Sequence, residues 1–136
     1  MSGTELVKLA LEAREHAYTP YSHFAVGAAL LTKEGKVYQG CNIENAAFSP
    51  TNCAERTAFF TAVYQGEREF SAIAVVGGPE GQPAAQLCTP CGVCRQVMRE
   101  FVQDDFMIYM AGAEGYSAMT MTQLLPAGFK ASEHMA

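Results

Sequence analysis

The sequence has no run approaching the ~20 apolar residues that cross a bilayer as a helix, so no membrane association is expected. It also lacks any cluster of Lys and Arg: nine such residues stand against 14 Asp and Glu, a formal net charge of -5. A protein that tracks a polynucleotide backbone needs a basic stripe. A nucleic-acid polymer is therefore not the expected substrate, and a small, roughly neutral one is. The first residues, Met1-Ser2-Gly3-Thr4-Glu5-Leu6, lack a basic segment followed by an apolar run, which argues against a signal peptide and for a cytoplasmic location. No repeat, low-complexity tract or linker divides the 136 residues, and that length suits a single domain over 1–136. Charged residues are sparse, 17% against 49% hydrophobic, a balance that fits a compact protein burying more surface by oligomerising.

What is present begins with local pattern. Thr4 is the expected N-cap of a first helix, with Leu6, Ala10, Ala13 and Ala17 on one stripe and Pro20 as its end. Phe24 to Leu31 reads as a strand buried on both faces, and Val37 to Cys41 as its antiparallel partner after a Lys33-Glu34-Gly35-Lys36 turn. Asn42 to Thr51 is polar and irregular. A second helix starts near Cys53, capped by Thr51 or Asn52 and stopped by Gly66. Ser71 to Gly77 is the next strand, and Gly77 to Leu87 a loop. A helix follows Pro90, with Val93, Val97 and Phe101 at core spacing. Phe106 to Met110 and Tyr116 to Met121 are strands joined too briefly to be parallel. A short helix over Thr122 to Leu125 precedes Pro126. This order predicts an α/β fold, a three-layer α-β-α arrangement around a mixed five-stranded sheet, with right-handed crossovers.

The chemistry lies at two helix starts. Five cysteines are present, an odd number, and three fall close together, which in a reducing compartment reads as metal binding. Cys91 and Cys94, in Pro90-Cys91-Gly92-Val93-Cys94, are spaced to share a face of a helix's first turn. Cys53, in Asn52-Cys53-Ala54-Glu55-Arg56, supplies a third sulfur from another helix. A catalytic zinc keeps three protein ligands and an open position, whereas a structural zinc closes with four. Cys88 is the rival fourth ligand; its place upstream of the helix favours a loop thiol instead. Cys41 reads as a buried thiol. Three thiolates leave the centre negative. Helix N-termini and the arginines that follow each motif, Arg56 and Arg95, offer compensation, with Arg56 expected to donate to a thiolate sulfur. The competing reading makes both arginines solvated surface charges. Glu55 is either an acid satisfying the helix dipole or, beside an open metal position, the group that moves protons; the second is favoured.

Taken with Ala17-Tyr18-Thr19-Pro20-Tyr21-Ser22-His23-Phe24-Ala25-Val26-Gly27-Ala28-Ala29, Gly40-Cys41-Asn42-Ile43-Glu44-Asn45-Ala46 and Leu124-Leu125-Pro126, these motifs resemble the small homotetrameric cytidine deaminases of pyrimidine salvage, of the bacterial type. The resemblance covers nearly the whole chain, to about Phe129. It implies a cytidine deaminase-like fold and one zinc ion per subunit on Cys53, Cys91 and Cys94. Glu55 would be the proton shuttle of a hydrolase that converts cytidine and deoxycytidine to uridine and deoxyuridine. It further implies that Asn42 and Glu44 hold the ribose hydroxyls, that Phe24 meets the base and that the Ala54 backbone bonds its edge. Phe129 would reach a neighbouring subunit's site. Phe48 stands where the family commonly has Tyr, and Gly78 to Leu87 looks longer than in close relatives. The rival readings are a blasticidin-S type deaminase on the same scaffold and a structural zinc-binding module.

Overall fold

The computed structural model describes residues 1–85, 87–112 and 115–131. Its elements run α1 (Gly3–Arg14), β1 (Phe24–Thr32), β2 (Val37–Cys41), α2 (Ala54–Tyr64), β3 (Phe70–Pro79), α3 (Gly92–Phe101), β4 (Met107–Gly112), β5 (Gly115–Thr120) and α4 (Met121–Leu124). The strands form one sheet in the order β2-β1-β3-β4-β5. β1 is antiparallel to both β2 and β3, β3 and β4 are parallel, and β4 and β5 are antiparallel. The mixed five-stranded sheet expected from the sequence is thus observed.

Alternation along the strands sorts the two faces. Ala28, Leu30, Ile73, Val75, Ile108 and Met110 point to one side, where they pack with Ala54, Ala58, Phe59 and Ala62 of α2, Met98 of α3 and Met121 and Leu124 of α4. Ala29, Ala72, Ala74, Val76 and Ala111 point to the other and meet Leu6 and Ala10 of α1. The α1 face is therefore lined mostly by alanine, while the other holds the large side chains. Phe59 is fully buried there, within 5.2–6.1 Å of the rings of Phe70, Phe101 and Phe106.

Helix α1 departs from expectation at both ends. Its N-cap is Ser2 rather than Thr4: the Ser2 hydroxyl accepts from Glu5 N–H while the Glu5 carboxylate accepts from Ser2 N–H, a reciprocal capping box. It ends at Arg14, well before Pro20. The reason is long-range. The Arg14 side chain turns inward and donates to the carbonyls of Ala25, Gly78, Pro79 and Gln82 at 2.8–3.0 Å. One guanidinium thus ties the end of α1 to the start of β1, the end of β3 and the segment beyond. That segment is the stretch noted for its length. It folds back beside α1 around a cavity of about 660 Å³, and the Glu80 amide donates to the His23 carbonyl. Within it, Gln86 lies outside the described residues.

Candidate metal and catalytic site

Helices α2 and α3 begin on cysteines. Cys53 is the N-cap of α2 and Cys91 the N-cap of α3, displacing the caps expected at Thr51 or Asn52. Both have extended backbone, and neither side chain makes a capping hydrogen bond. A thiol is a weak acceptor, so these sulfurs are left to point elsewhere. They point at each other: the Sγ atoms of Cys53, Cys91 and Cys94 lie within 4.8 Å of one another. Cys94 is fully buried, Cys53 half-buried and Cys91 exposed, so the cluster opens to the surface on one side.

The electrostatics fit a metal-binding centre. The Cys53 thiol is pushed down to about 5, first by hydrogen bonding from Cys94 and then, against burial, by Arg56. Cys94, its partner in that shared proton, moves up. Arg56 Nη2 lies 3.3 Å from Cys53 Sγ and 3.5 Å from the Thr51 carbonyl, while its Nε is buried without a partner among the described residues. Three thiols sharing protons, with a guanidinium against one of them, form a donor set that a divalent cation completes by displacing the protons. Arg95 behaves differently. It donates to the carbonyls of Pro90 and Leu124 at 2.8 Å, so it fastens α3 to α4. The expectation that it offsets the thiolates is not supported by this geometry.

Glu55 is in the first turn of α2 and only 4% exposed. Burial pushes its carboxyl up to about 7, and the negative Cys53 thiolate adds to the rise. Cys88 is outside the three-sulfur group. It sits over Gly77, where a Cβ would meet its sulfur at 2.8 Å, and burial pushes its thiol up to about 12. Among the described residues, a fourth, closing sulfur is thus not in place.

The loop after β2 is held in three ways. Ile43 pairs with Asn52 through two backbone hydrogen bonds of 2.9 Å, and with Tyr18 through a parallel bridge. Asn42 Oδ1 accepts from Val26 N–H and its Nδ2 donates to the Phe24 carbonyl, each at 2.9 Å. Glu44 accepts from the amides of Tyr21 and Ser22 and from the Ser22 hydroxyl, and that hydroxyl holds its carboxyl below the usual range. Tyr21, Ser22, Glu44, Phe48 and Thr51 line a cavity of about 250 Å³. The Phe48 ring is edge-on to Tyr21 with centroids 5.7 Å apart, and the Phe48 backbone is left-handed at φ 60°. Nothing local in the sequence marks Tyr21 and Ser22 as the partners of Glu44, because the contact spans two loops. Phe24 opens β1 and Ala54 opens α2. Phe129 is 52% exposed, its carbonyl accepting from Gln96 Nε2 on α3.

The family model described as the cytidine and deoxycytidylate deaminase zinc-binding region matches residues 2–110. The chain belongs to this deaminase family. It is similar to a cytidine deaminase of Sporosarcina psychrophila, 49% identical over 130 residues, covering 95% of this chain and 92% of that protein. A crystal structure of cytidine deaminase from Burkholderia pseudomallei superposes with a TM-score of 0.86 at 45% identity, covering 95% of this chain and 100% of the other. A blasticidin-S deaminase of Bacillus cereus is 34% identical over 107 residues, 76% of each chain. In this zinc-binding family, Cys53, Cys91 and Cys94 form the group positioned for the metal ion.

Proposed function

We propose that the chain hydrolyses cytidine and deoxycytidine to uridine and deoxyuridine with release of ammonia, as a single domain over 1–136. One observation carries the reading: a buried carboxyl, Glu55, stands in the same helix turn as a sulfur of the three-thiol cluster. Cys53, Cys91 and Cys94 would hold zinc, which supplies the Lewis acidity that makes water nucleophilic near neutral pH. Glu55 takes a proton from the attacking water and passes it to the ring nitrogen beside C4. With the water oxygen bonded to C4, Glu55 takes the remaining proton from the new C4 hydroxyl and delivers it to the departing amino group, so that the C4–N bond breaks, ammonia leaves and C4=O forms. Burial suits it to both directions, since a carboxyl raised to about 7 gives and takes protons near neutrality. Arg56 draws charge from the Cys53 sulfur.

Asn42 and Glu44 hold the ribose hydroxyls. Their hydrogen bonds to the backbone fix them beforehand, so the sugar meets polar groups already held in place. Phe24 meets the base, the Ala54 backbone bonds its edge, and Phe129 reaches a neighbouring subunit's site in a homotetramer. The nucleoside is the substrate rather than a polymer, as the net charge of -5 suggests, and the reaction is placed in the cytoplasm. The described residues contain no helix long and apolar enough to cross a membrane.

The test is Glu55→Gln, assayed by ultraviolet loss of cytidine with zinc content measured on the same sample. Zinc is expected to stay, and turnover to fall by ~10²-fold or more. Turnover near wild type would refute the role. A parallel assay on blasticidin S is expected to show far poorer turnover than on cytidine.

A further inference from the structure

Gly40 and Gly27 lie on adjacent strands one step apart in register, Gly40 opposite Ala28 and Gly27 opposite Cys41. Neither has a positive φ, so backbone conformation does not demand glycine at either place. Space does. A Cβ at Gly40 would stand 2.5 Å from the Ala54 carbonyl oxygen, 2.5 Å from the Ala58 nitrogen and 3.1 Å from the Ala58 Cα. All three are backbone atoms of α2, which cannot swing aside as a side chain can. A Cβ at Gly27 would stand 2.1 Å from the Ala10 oxygen, 2.5 Å from the Arg14 nitrogen and 2.9 Å from the Arg14 Cα, all on α1. The two glycines are thus matched contacts on opposite faces of the sheet, and only one faces the helix that carries Cys53 and Glu55.

We infer that Gly40 is a positioning residue for the metal centre: it sets how deeply the start of α2 seats against β2. That depth fixes Cys53 and Glu55 relative to Cys91 and Cys94, which belong to α3. It also fixes them relative to Asn42, two residues beyond Gly40, whose amide is fastened to β1 rather than to α2. A methyl group at position 40 lifts the first turn of α2 while leaving the other two sulfurs where they are. The sulfur triangle then opens on one side. The inference rests on Cys53 being a zinc ligand.

The experiment uses the full chain. Gly40→Ala and Gly27→Ala are prepared metal-free, and zinc affinity is measured by competition with a chromogenic chelator. The visible absorption of the cobalt(II)-loaded form reports ligand geometry. Gly40→Ala is expected to weaken zinc by at least about tenfold, the range for groups that orient metal ligands, and to alter the cobalt spectrum. Gly27→Ala is expected to lower thermal stability while keeping both. Should metal-free Gly40→Ala not fold, it is refolded with cobalt(II), and the spectrum of the loaded protein is read with the same expectation. Wild-type affinity or spectrum in the folded position-40 variant would overturn the inference. So would an equal loss in Gly27→Ala, which would make the effect one of general stability. The ligand reading beneath it has its own control: Cys53→Ala with wild-type zinc affinity would overturn that reading whatever Gly40→Ala does.

Discussion

At the scale of the residue, Glu55 shows how burial writes chemistry. Its carboxyl sits at about 7 in the folded chain against an ordinary 4.5, with desolvation the main cause. The folded state therefore holds this proton more tightly than the unfolded one. The stabilising contribution is complete below 4.5 and is lost as pH rises through about 7. Glu55→Gln keeps the shape of the protonated form and has nothing to lose. In metal-free protein, the melting temperature of Glu55→Gln relative to wild type is expected to climb across that window. A difference that stays flat with pH would mean the carboxyl is solvated. The sequence made Glu55 legible as a candidate because it neighbours Cys53, but not its burial, which depends on the packing of α2 beneath the sheet. Arg56 and Arg95 make the same point. Each follows a cysteine motif, yet one turns to a sulfur and the other to two carbonyls. No local signal separates them.

At the scale of the element, the strands were the most legible part. β2 was expected and found at Val37–Cys41, and β1 extends one residue beyond expectation to Thr32. Alternating or continuous apolar runs carry that information locally. The helix ends were not so readable. Ser2 and Glu5 have the spacing of a capping box, a local signal that competes with Thr4 for the N-cap and prevails. The end of α1 is different, since it depends on carbonyls that lie 11 to 68 residues away in the chain. Arg14→Met would leave those four carbonyls without their donor. The expected loss is roughly 3 kcal/mol or more in unfolding free energy, measured by urea denaturation. Arg14→Lys is expected to recover less than half, because an ammonium cannot span all four acceptors. Full recovery by lysine would show that charge alone matters there.

At the scale of the whole molecule, the metal would add a link between the starts of two helices whose bodies already pack through Phe59 and Phe101. α2 and α3 start on cysteines that cap nothing, so zinc held by Cys53, Cys91 and Cys94 would be a shared fastening of two helix starts. Stripping it with a chelator is expected to lower the melting temperature and to speed amide exchange first at 54–57 and 92–95, before the sheet responds. Uniform exchange across the chain would mean the site and the core unfold as one unit. The fold class was legible because the order of elements permits few topologies. The triangle of sulfurs was legible because both motifs fall at helix starts. The two-loop support around Glu44 was not, since Tyr21 and Ser22 lie more than 20 residues from it in sequence.

The two faces of the sheet carry a last consequence. α1 rests on alanines and on Gly27, with backbone already in contact, whereas the opposite face, apart from the matching contact of Gly40 with α2, holds the large phenylalanine, isoleucine and methionine side chains. In a survey of random substitutions these faces would behave as different materials. Beneath α1 almost any enlargement is rejected, so drift there is confined to the smallest side chains. On the far side, one bulky group can be traded for another, and most of the chain's latitude for diverging without losing its shape resides there.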